Sequence, residues 1–193
     1  DAIAPRYDLL NRVLSGGVDR RWRARAIRSL GLSGRERLLD VCTGTADIAL
    51  QARRDGGAAR VIGVDFAGAM LAVGRAKVRR ARGAGTGADI LLVRGDATRL
   101  PVRSASVEAV TVAFGIRNVE QPEHACREMA RVLTPRGRLA ILEFGVPRLP
   151  GISTLYLWYF KYLLPLVGRY MSGHAAAYSY LPASVTAFPP PAE

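Results

Sequence analysis

Residues 39–47, Leu39-Asp40-Val41-Cys42-Thr43-Gly44-Thr45-Ala46-Asp47, pass from an apolar strand through a glycine turn into a helix. Leu38, Leu39 and Val41 read as the side chains of a buried strand, Asp40 stands near its carboxyl end, and Gly44 permits a tight turn. The amides from Thr45 onward open a helix over residues 47–54, the arrangement that holds a nucleotide-like ligand against a helix N-terminus. Such a turn is also an ordinary connection in many α/β proteins, so its meaning depends on the strands that come after it.

The next apolar strand, residues 60–64, runs into Asp65, twenty-one residues beyond Gly44, where an acidic side chain can accept both hydroxyls of a ribose. A third strand, residues 90–93, is followed by Gly95-Asp96-Ala97, which brings another carboxylate to the same edge of the sheet. Three carboxylates at successive strand ends suit a ligand with an ammonium group, a ribose and an adenine amino group. A dinucleotide asks instead for bare glycine amides under its pyrophosphate. Here the second glycine of a G-x-G pattern is Ala46, and a third is lacking. S-adenosylmethionine fits these residues better than NAD.

With 193 residues, 49% hydrophobic and 23% charged, the chain is predicted to form one folded domain. Cys42 and Cys126 are too few and too far apart for a disulfide framework or a zinc site; they read as free thiols of a reducing compartment, and no metal is implied. The formal net charge of +12 attracts polyanions, lipid headgroups and nucleic acid alike, although an arginine-rich genome would leave the same excess. No secretory leader is visible, and no uncharged apolar run reaches the roughly eighteen residues that a bilayer span needs.

Helices are expected over residues 5–14 and 19–30, broken at Gly16-Gly17, with Asp19 as a capping residue. Strands at 37–41, 60–64, 90–93, 108–113 and 138–142 then alternate with helices at 47–54, 67–82 and 123–133. That order predicts a mainly parallel, Rossmann-like sheet with helices on both faces and ligands at the carboxyl ends of the strands. Beyond Pro147 the character changes: residues 152–167 are apolar and aromatic with Lys161 as their one charge. This segment suits a helix packed on the sheet, a lid over an apolar pocket, or an interfacial helix with Tyr156, Trp158, Tyr159 and Tyr162 at headgroup depth. The expected organisation is a single domain, 1–193, with an N-terminal helical cap (1–32), a core (33–146) and a helical lid and substrate region (147–193).

Several motifs together resemble the bacterial demethylmenaquinone and 2-polyprenyl-6-methoxy-benzoquinol C-methyltransferases of menaquinone and ubiquinone biosynthesis. They are Tyr7-Asp8-Leu9-Leu10-Asn11 with Leu14-Ser15 and residues 19–22; Phe114-Gly115-Ile116-Arg117-Asn118; Arg131-Val132-Leu133 with Pro135, Gly137 and Leu142-Glu143-Phe144; and Tyr180-Leu181-Pro182 with Ser184-Val185 and Phe188-Pro189. The match covers nearly the whole chain, and the Phe114 to Asn118 motif is its most specific part. Departures from the family pattern are Ala46 in place of a glycine, Asp19 where some members have histidine, Thr134 and Arg136 for the usual Lys and Gly, and Gly145 for a common serine. The family normally continues past Glu193 through a helix and two strands, so the resemblance implies a C-terminal hairpin that this chain lacks.

The resemblance implies a class I S-adenosylmethionine-dependent methyltransferase whose Asp40, Gly44, Asp65 and Asp96 hold the cofactor. Thr43 lines the turn, Ala97 follows Asp96, and Phe66 and Met70 pack on the adenosine. Arg117 and Asn118 follow the fourth strand at the edge where the methyl group sits, placing a guanidinium to stabilise a developing quinolate and a carboxamide to orient it. The bland alternative for Arg117 is a surface ion pair. Tyr7, Asn11, Phe114 and Tyr156 are the candidate substrate contacts, and His124 reads as a surface residue rather than a base. A polyprenyl quinol implies a cytoplasmic enzyme in peripheral contact with the anionic inner face of the cell membrane; a homodimer stays open.

An RNA or DNA methyltransferase would share the fold and the charge, but Ala113-Phe114-Gly115-Ile116 stands where base-modifying enzymes carry an Asn- or Asp-Pro-Pro-aromatic motif, so no nucleic-acid partner is expected. A dehydrogenase lacks its Tyr-x-x-x-Lys pair here. Methylation of a benzoquinol, action on another small molecule, and a non-catalytic scaffold of the same fold are the remaining alternatives.

Overall fold

The computed structural model describes residues 17–55, 57–85, 87 and 89–143. The expected helix at 5–14, Tyr7, Asn11, Tyr156 and the whole segment 147–193 lie outside them. The chain enters through α1 (Asp19–Ser29) and then alternates: β1 (Arg37–Val41), α2 (Asp47–Arg54), β2 (Arg60–Asp65), α3 (Gly68–Gly83), β3 (Ile90–Arg94), β4 (Val107–Ala113), a 3₁₀ turn (Ile116–Asn118), α4 (Pro122–Val132) and β5 (Leu133–Leu142).

The strands form one parallel sheet in the order β3-β2-β1-β4-β5. Val41 pairs with Val64 on one side and Val112 on the other, so the central strands end at one level. Connections run one way from β1 to β3 and the other way from β4 to β5. The reversal opens a crevice beyond the carboxyl ends of β1 and β4, where such sheets bind ligands.

Alternate strand residues go to opposite cores, as the two-residue period requires. Leu38, Val61, Ile90, Leu92 and Ala109 pack with Ile27 and Leu30, Ile48 and Ala52, and Leu71 and Val78, from α1 and the residue that ends it, α2 and α3 respectively. Leu39, Val41, Val64, Val110 and Val112 pack with Ala125, Met129 and Val132 of α4. Full burial of each large aliphatic side chain contributes roughly 1.5–3 kcal/mol, which makes both layers necessary to the fold.

Two expectations change. Asp19 is not a side-chain cap: the N-cap is Val18, and Asp19 is buried inside the first turn, paired with Arg23 at 2.9 Å. The last strand starts at Leu133 rather than at 138, and Leu133 leaves the helix expected to contain it. Leu133 pairs with Val107, but regular pairing resumes only at Arg138 opposite Ala109, across an irregularity where Arg136 has φ +67°. The sequence pattern marks the regular part of the strand and misses the single pairing before the bulge.

Candidate active site

Every wall of the crevice begins where a strand stops. Hydrogen bonds extend the sheet past the strand ends, from Thr43 N–H to the Val64 carbonyl (3.0 Å), Gly95 N–H to the Asp65 carbonyl (3.0 Å) and Phe114 N–H to the Leu142 carbonyl (2.8 Å). Beyond that level Cys42 and Phe114 both turn left-handed, with φ +54° and +57°. Each such non-glycine residue costs about 1 kcal/mol or more, held in place by the surrounding structure. The turns bring Gly115 against Cys42, where an added Cβ would come 2.4 Å from the Cys42 Cβ and 3.1 Å from its Sγ. Gly44, also left-handed at φ +55°, closes the turn over β1 with the Met70 Cε 3.5 Å from where its Cβ would lie.

These turns enclose a cavity of about 590 Å³, inside the roughly 300–1,000 Å³ range of small-molecule sites. Of the sequence-predicted cofactor residues, Gly44, Asp65, Phe66, Met70, Asp96 and Ala97 line it, as do Phe114 and Asn118. Asp65 is tied down at both oxygens: Oδ2 accepts the Gly44 N–H at 2.7 Å and Oδ1 the Ala67 N–H at 2.8 Å. It therefore fixes the turn and the start of α3 together. Asp96 accepts both the N–H and the hydroxyl of Thr98 on Oδ1, each at 2.8 Å, and these bonds, the backbone one first, hold its carboxyl below the usual range. Phe66 is 70% exposed, with the Arg94 guanidinium 5.7 Å from its ring centroid and Arg94 Nε donating to the Phe66 carbonyl at 3.1 Å. An aromatic ring left in water but held from behind is a platform for a flat ligand.

Three expected residues sit elsewhere. Asp40 is 1% exposed, and its two oxygens accept the hydroxyls of Thr43 (2.6 Å) and Thr111 (2.9 Å). Asp40 and Thr43 brace the turn from below, and neither is among the described residues that line the cavity. Burial pushes the Asp40 carboxyl up to about 7, opposed by its two hydroxyl donors and reinforced by nearby Asp65. Arg117 also does not line the cavity. It makes an ion pair with Glu143 just past β5, the side chains being 7% and 6% exposed. The pair is buried rather than at the surface. Neighbouring residues of one 3₁₀ turn thus part company, Asn118 toward the cavity and Arg117 into the protein.

Sequence reasoning missed Cys42, Gly115, Val119, Glu120 and Gln121 as cavity walls. The signal was positional: each lies between the end of β1 or β4 and the helix that comes next, at the point where the strand order reverses. Burial, with help from the nearby carboxylates, pushes the Cys42 thiol up to about 12, so it stays protonated and is no nucleophile. Trp22 of α1 reaches the same wall, its ring centroid 6.4 Å from that of Phe114 with the planes tilted by 57°.

The charge of the cavity is opposite to that of the chain. Asp65, Asp96 and Glu120 line it, and among the described lining residues there is no lysine or arginine, in a protein of formal net charge +12. A cation is favoured there and a pyrophosphate is not. The donor set therefore fits S-adenosylmethionine, which carries a sulfonium, an ammonium, a ribose diol and an adenine.

Among solved structures, the YcgJ protein of Bacillus subtilis superposes with a TM-score of 0.60 at 23% identity, over 73% of this chain and 58% of that one. The BH2331 protein of Bacillus halodurans C-125 gives 0.58 at 24% identity, over 73% of this chain and 59% of that one. This chain thus spans a little over half of each; the likeness establishes the fold. The demethylmenaquinone methyltransferase of Thermus thermophilus is 45% identical over 98% of this chain and 84% of its own length. Its counterpart in Deinococcus radiodurans is 48% identical over 98% and 77%, and the ubiquinone/menaquinone biosynthesis C-methyltransferase UbiE of Syntrophotalea carbinolica 47% over 98% and 77%. The model of the ubiE/COQ5 methyltransferase family matches residues 1–193, and the chain belongs to that family.

Proposed function

We propose that this chain transfers a methyl group from S-adenosylmethionine to a ring carbon of a polyprenyl quinol, converting demethylmenaquinol to menaquinol. The observation that carries the reading is the carboxylate-lined cavity in a strongly basic chain; family membership supplies the reaction class. When bound, the cofactor provides an electrophilic methyl carbon on a cationic sulfur. The chain's own residues bind and orient. Each Asp65 oxygen accepts one amide hydrogen and keeps a lone pair for a ribose hydroxyl. Phe66 and Met70 take the faces of the adenosine, while Asp96 and Ala97 meet the adenine edge.

On the substrate side, the Asn118 carboxamide is the group suited to donate to a quinol oxygen as negative charge grows on it. Arg117 acts through that neighbour: its bond to Glu143 fixes the 3₁₀ turn from which Asn118 projects. Phe114 forms the apolar wall, and Tyr7, Asn11 and Tyr156 are assigned to the substrate on the family motif and the aromatic segment. The polyprenyl tail keeps the substrate in the bilayer at about 0.8 kcal/mol per methylene. The enzyme accordingly works from the cytoplasm against the inner face of the membrane, with α1 turned toward the lipid. Its Arg21, Arg25 and Arg28 are exposed, and Val18 and Trp22 beside them are each 37% exposed.

Incubation with labelled S-adenosylmethionine and either demethylmenaquinol or the corresponding benzoquinol tests the assignment. Label is expected in the naphthoquinol ring, and transfer to the benzoquinol alone would reassign the substrate. Asp65→Ala should weaken cofactor binding by about 3 kcal/mol or more, the value of two charge-assisted hydrogen bonds. Wild-type affinity by calorimetry would remove Asp65 from the ribose.

A further inference from the structure

A polar cluster behind the cofactor turn contributes nothing to the cavity wall yet joins three helices. Lys77 of α3 donates from Nζ to the Thr45 hydroxyl at 3.0 Å and to Asp47 Oδ1. Asp47 opens α2, and its Oδ2 accepts from Arg23 Nη1 of α1 at 2.9 Å; the same Nη1 lies 2.9 Å from Asp19 Oδ2. The Asp19 and Arg23 side chains are only 9% and 10% exposed, so they are not surface pairs worth a few tenths of a kcal/mol. Gln51 Nε2 fastens α1 a second time through the Arg20 carbonyl, at 3.2 Å. α3 presses on the turn at Gly74, where an added Cβ would come 3.2 Å from the carbonyl carbon of Thr45.

α1 is thereby attached to both sides of the cavity. One attachment runs through Asp47 to Lys77 and Thr45 of the turn, and the other runs through Trp22 to Phe114 on the wall beyond β4. We infer that Asp47 is a positioning residue that couples the docking of α1 to occupancy of the cofactor pocket. A ligand that orders the turn at Gly44 orders α1 as well, and by reciprocity a loosened α1 weakens the ligand. The inference rests on the cofactor reading above and adds to it a residue that touches neither cofactor nor substrate.

Hydrogen exchange on the full chain, with and without S-adenosylhomocysteine, tests the coupling when paired with calorimetric affinity. In the wild type the ligand should slow exchange of the α1 amides more than those of α4, which serves as the reference for global stabilisation. Asp47→Asn should abolish that excess protection and weaken S-adenosylhomocysteine about tenfold under conditions where the variant remains folded. Lys77→Met should do the same, and carries the test if Asp47→Asn does not fold; Lys77→Arg should restore both readouts. A purely structural role for Asp47 would lower the melting temperature and leave affinity and ligand-dependent protection intact, which would overturn the coupling. Ligand binding by the wild type without preferential protection of α1 overturns it too. Absence of any S-adenosylhomocysteine binding by the wild type overturns the cofactor reading and the coupling with it.

Discussion

Arg117 and Asn118 are adjacent, but their surroundings separate architecture from chemistry. Removing the guanidinium leaves the Glu143 carboxylate in a site 6% exposed, a change that costs roughly 3–5 kcal/mol. Arg117→Ala should therefore melt roughly 10 °C below the wild type, and Glu143→Leu added to it should recover much of the loss. Asn118→Ala should melt with the wild type and lose turnover instead; calorimetric melts beside single-turnover rates make the comparison. Asp40 offers a second residue-scale test. Burial raises its carboxyl from 3.8 to about 7, so the folded protein binds a proton there that the unfolded chain has already lost. Stability from this group is full below pH ~4 and falls as the pH rises through about 7. Glu108 and Glu128, held below their ordinary 4.5 first of all by bonds from Arg37 and Arg131, work in the opposite sense, and their contributions disappear as the pH falls below that value. Denaturant unfolding of Asp40→Asn, whose amide oxygen and nitrogen can each meet one threonine hydroxyl, should show a flatter slope between pH 4 and 7 with the acid limb unchanged.

At the scale of elements, the reversal point of the sheet depends on two turns that nearly touch. A Cβ on Gly115 would lie 2.4 Å from that of Cys42, so Gly115→Ala should destabilise by about 1–3 kcal/mol through overpacking. Cys42→Gly removes the opposing atom at a position whose φ of +54° suits glycine. The double variant should regain most of the stability lost by Gly115→Ala, and additive losses in urea unfolding would show that the clash is elsewhere. This part of the molecule also marks how far the sequence could be read. The boundaries of β1 and α2 were legible to the residue, because Leu38, Leu39 and Val41 and the apolar face of α2 leave one way to alternate. Asp65 was legible from its spacing to Gly44, and Asp96 from the strand before it. The threonine partners of Asp40 were not legible, because a carboxylate near a strand end looks the same whether it faces a ligand or two threonines, and Thr111 lies seventy-one residues away. The pairing of Arg117 was hidden for a similar reason, since its partner Glu143 lies just past β5, twenty-six residues on. Pairings between distant elements leave no local pattern, and those pairings decide which of two polar neighbours faces the cavity.

For the whole molecule, charge is distributed with the opposite sign inside the site and outside it. The chain holds 28 Lys and Arg against 16 Asp and Glu, while the cavity presents Asp65, Asp96 and Glu120. The basic excess therefore lies outside the cofactor cavity. On α1, Arg21, Arg25 and Arg28 follow a four-then-three spacing that sets them along one exposed stripe, with Val18 and Trp22 at its edge. Trp22 touches Phe114 on the cavity wall, so the stripe lies beside the wall proposed to meet the quinol. Each arginine near an anionic leaflet contributes about 1 kcal/mol, and three together give roughly a hundredfold in partitioning. No described helix is long and apolar enough to cross a membrane; the contact proposed for α1 is electrostatic and interfacial. Co-sedimentation with vesicles should show binding to phosphatidylglycerol-containing lipid that declines as salt shortens the Debye length from about 10 Å at 0.1 M to about 3 Å at 1 M. Replacing Arg21, Arg25 and Arg28 together by Gln should remove most of that binding while a water-soluble, short-tailed quinol is still methylated at the wild-type rate. Equal recovery on neutral and anionic vesicles would eliminate the electrostatic role of α1. Full retention of anionic binding in the triple variant would move the membrane contact to another face of the protein.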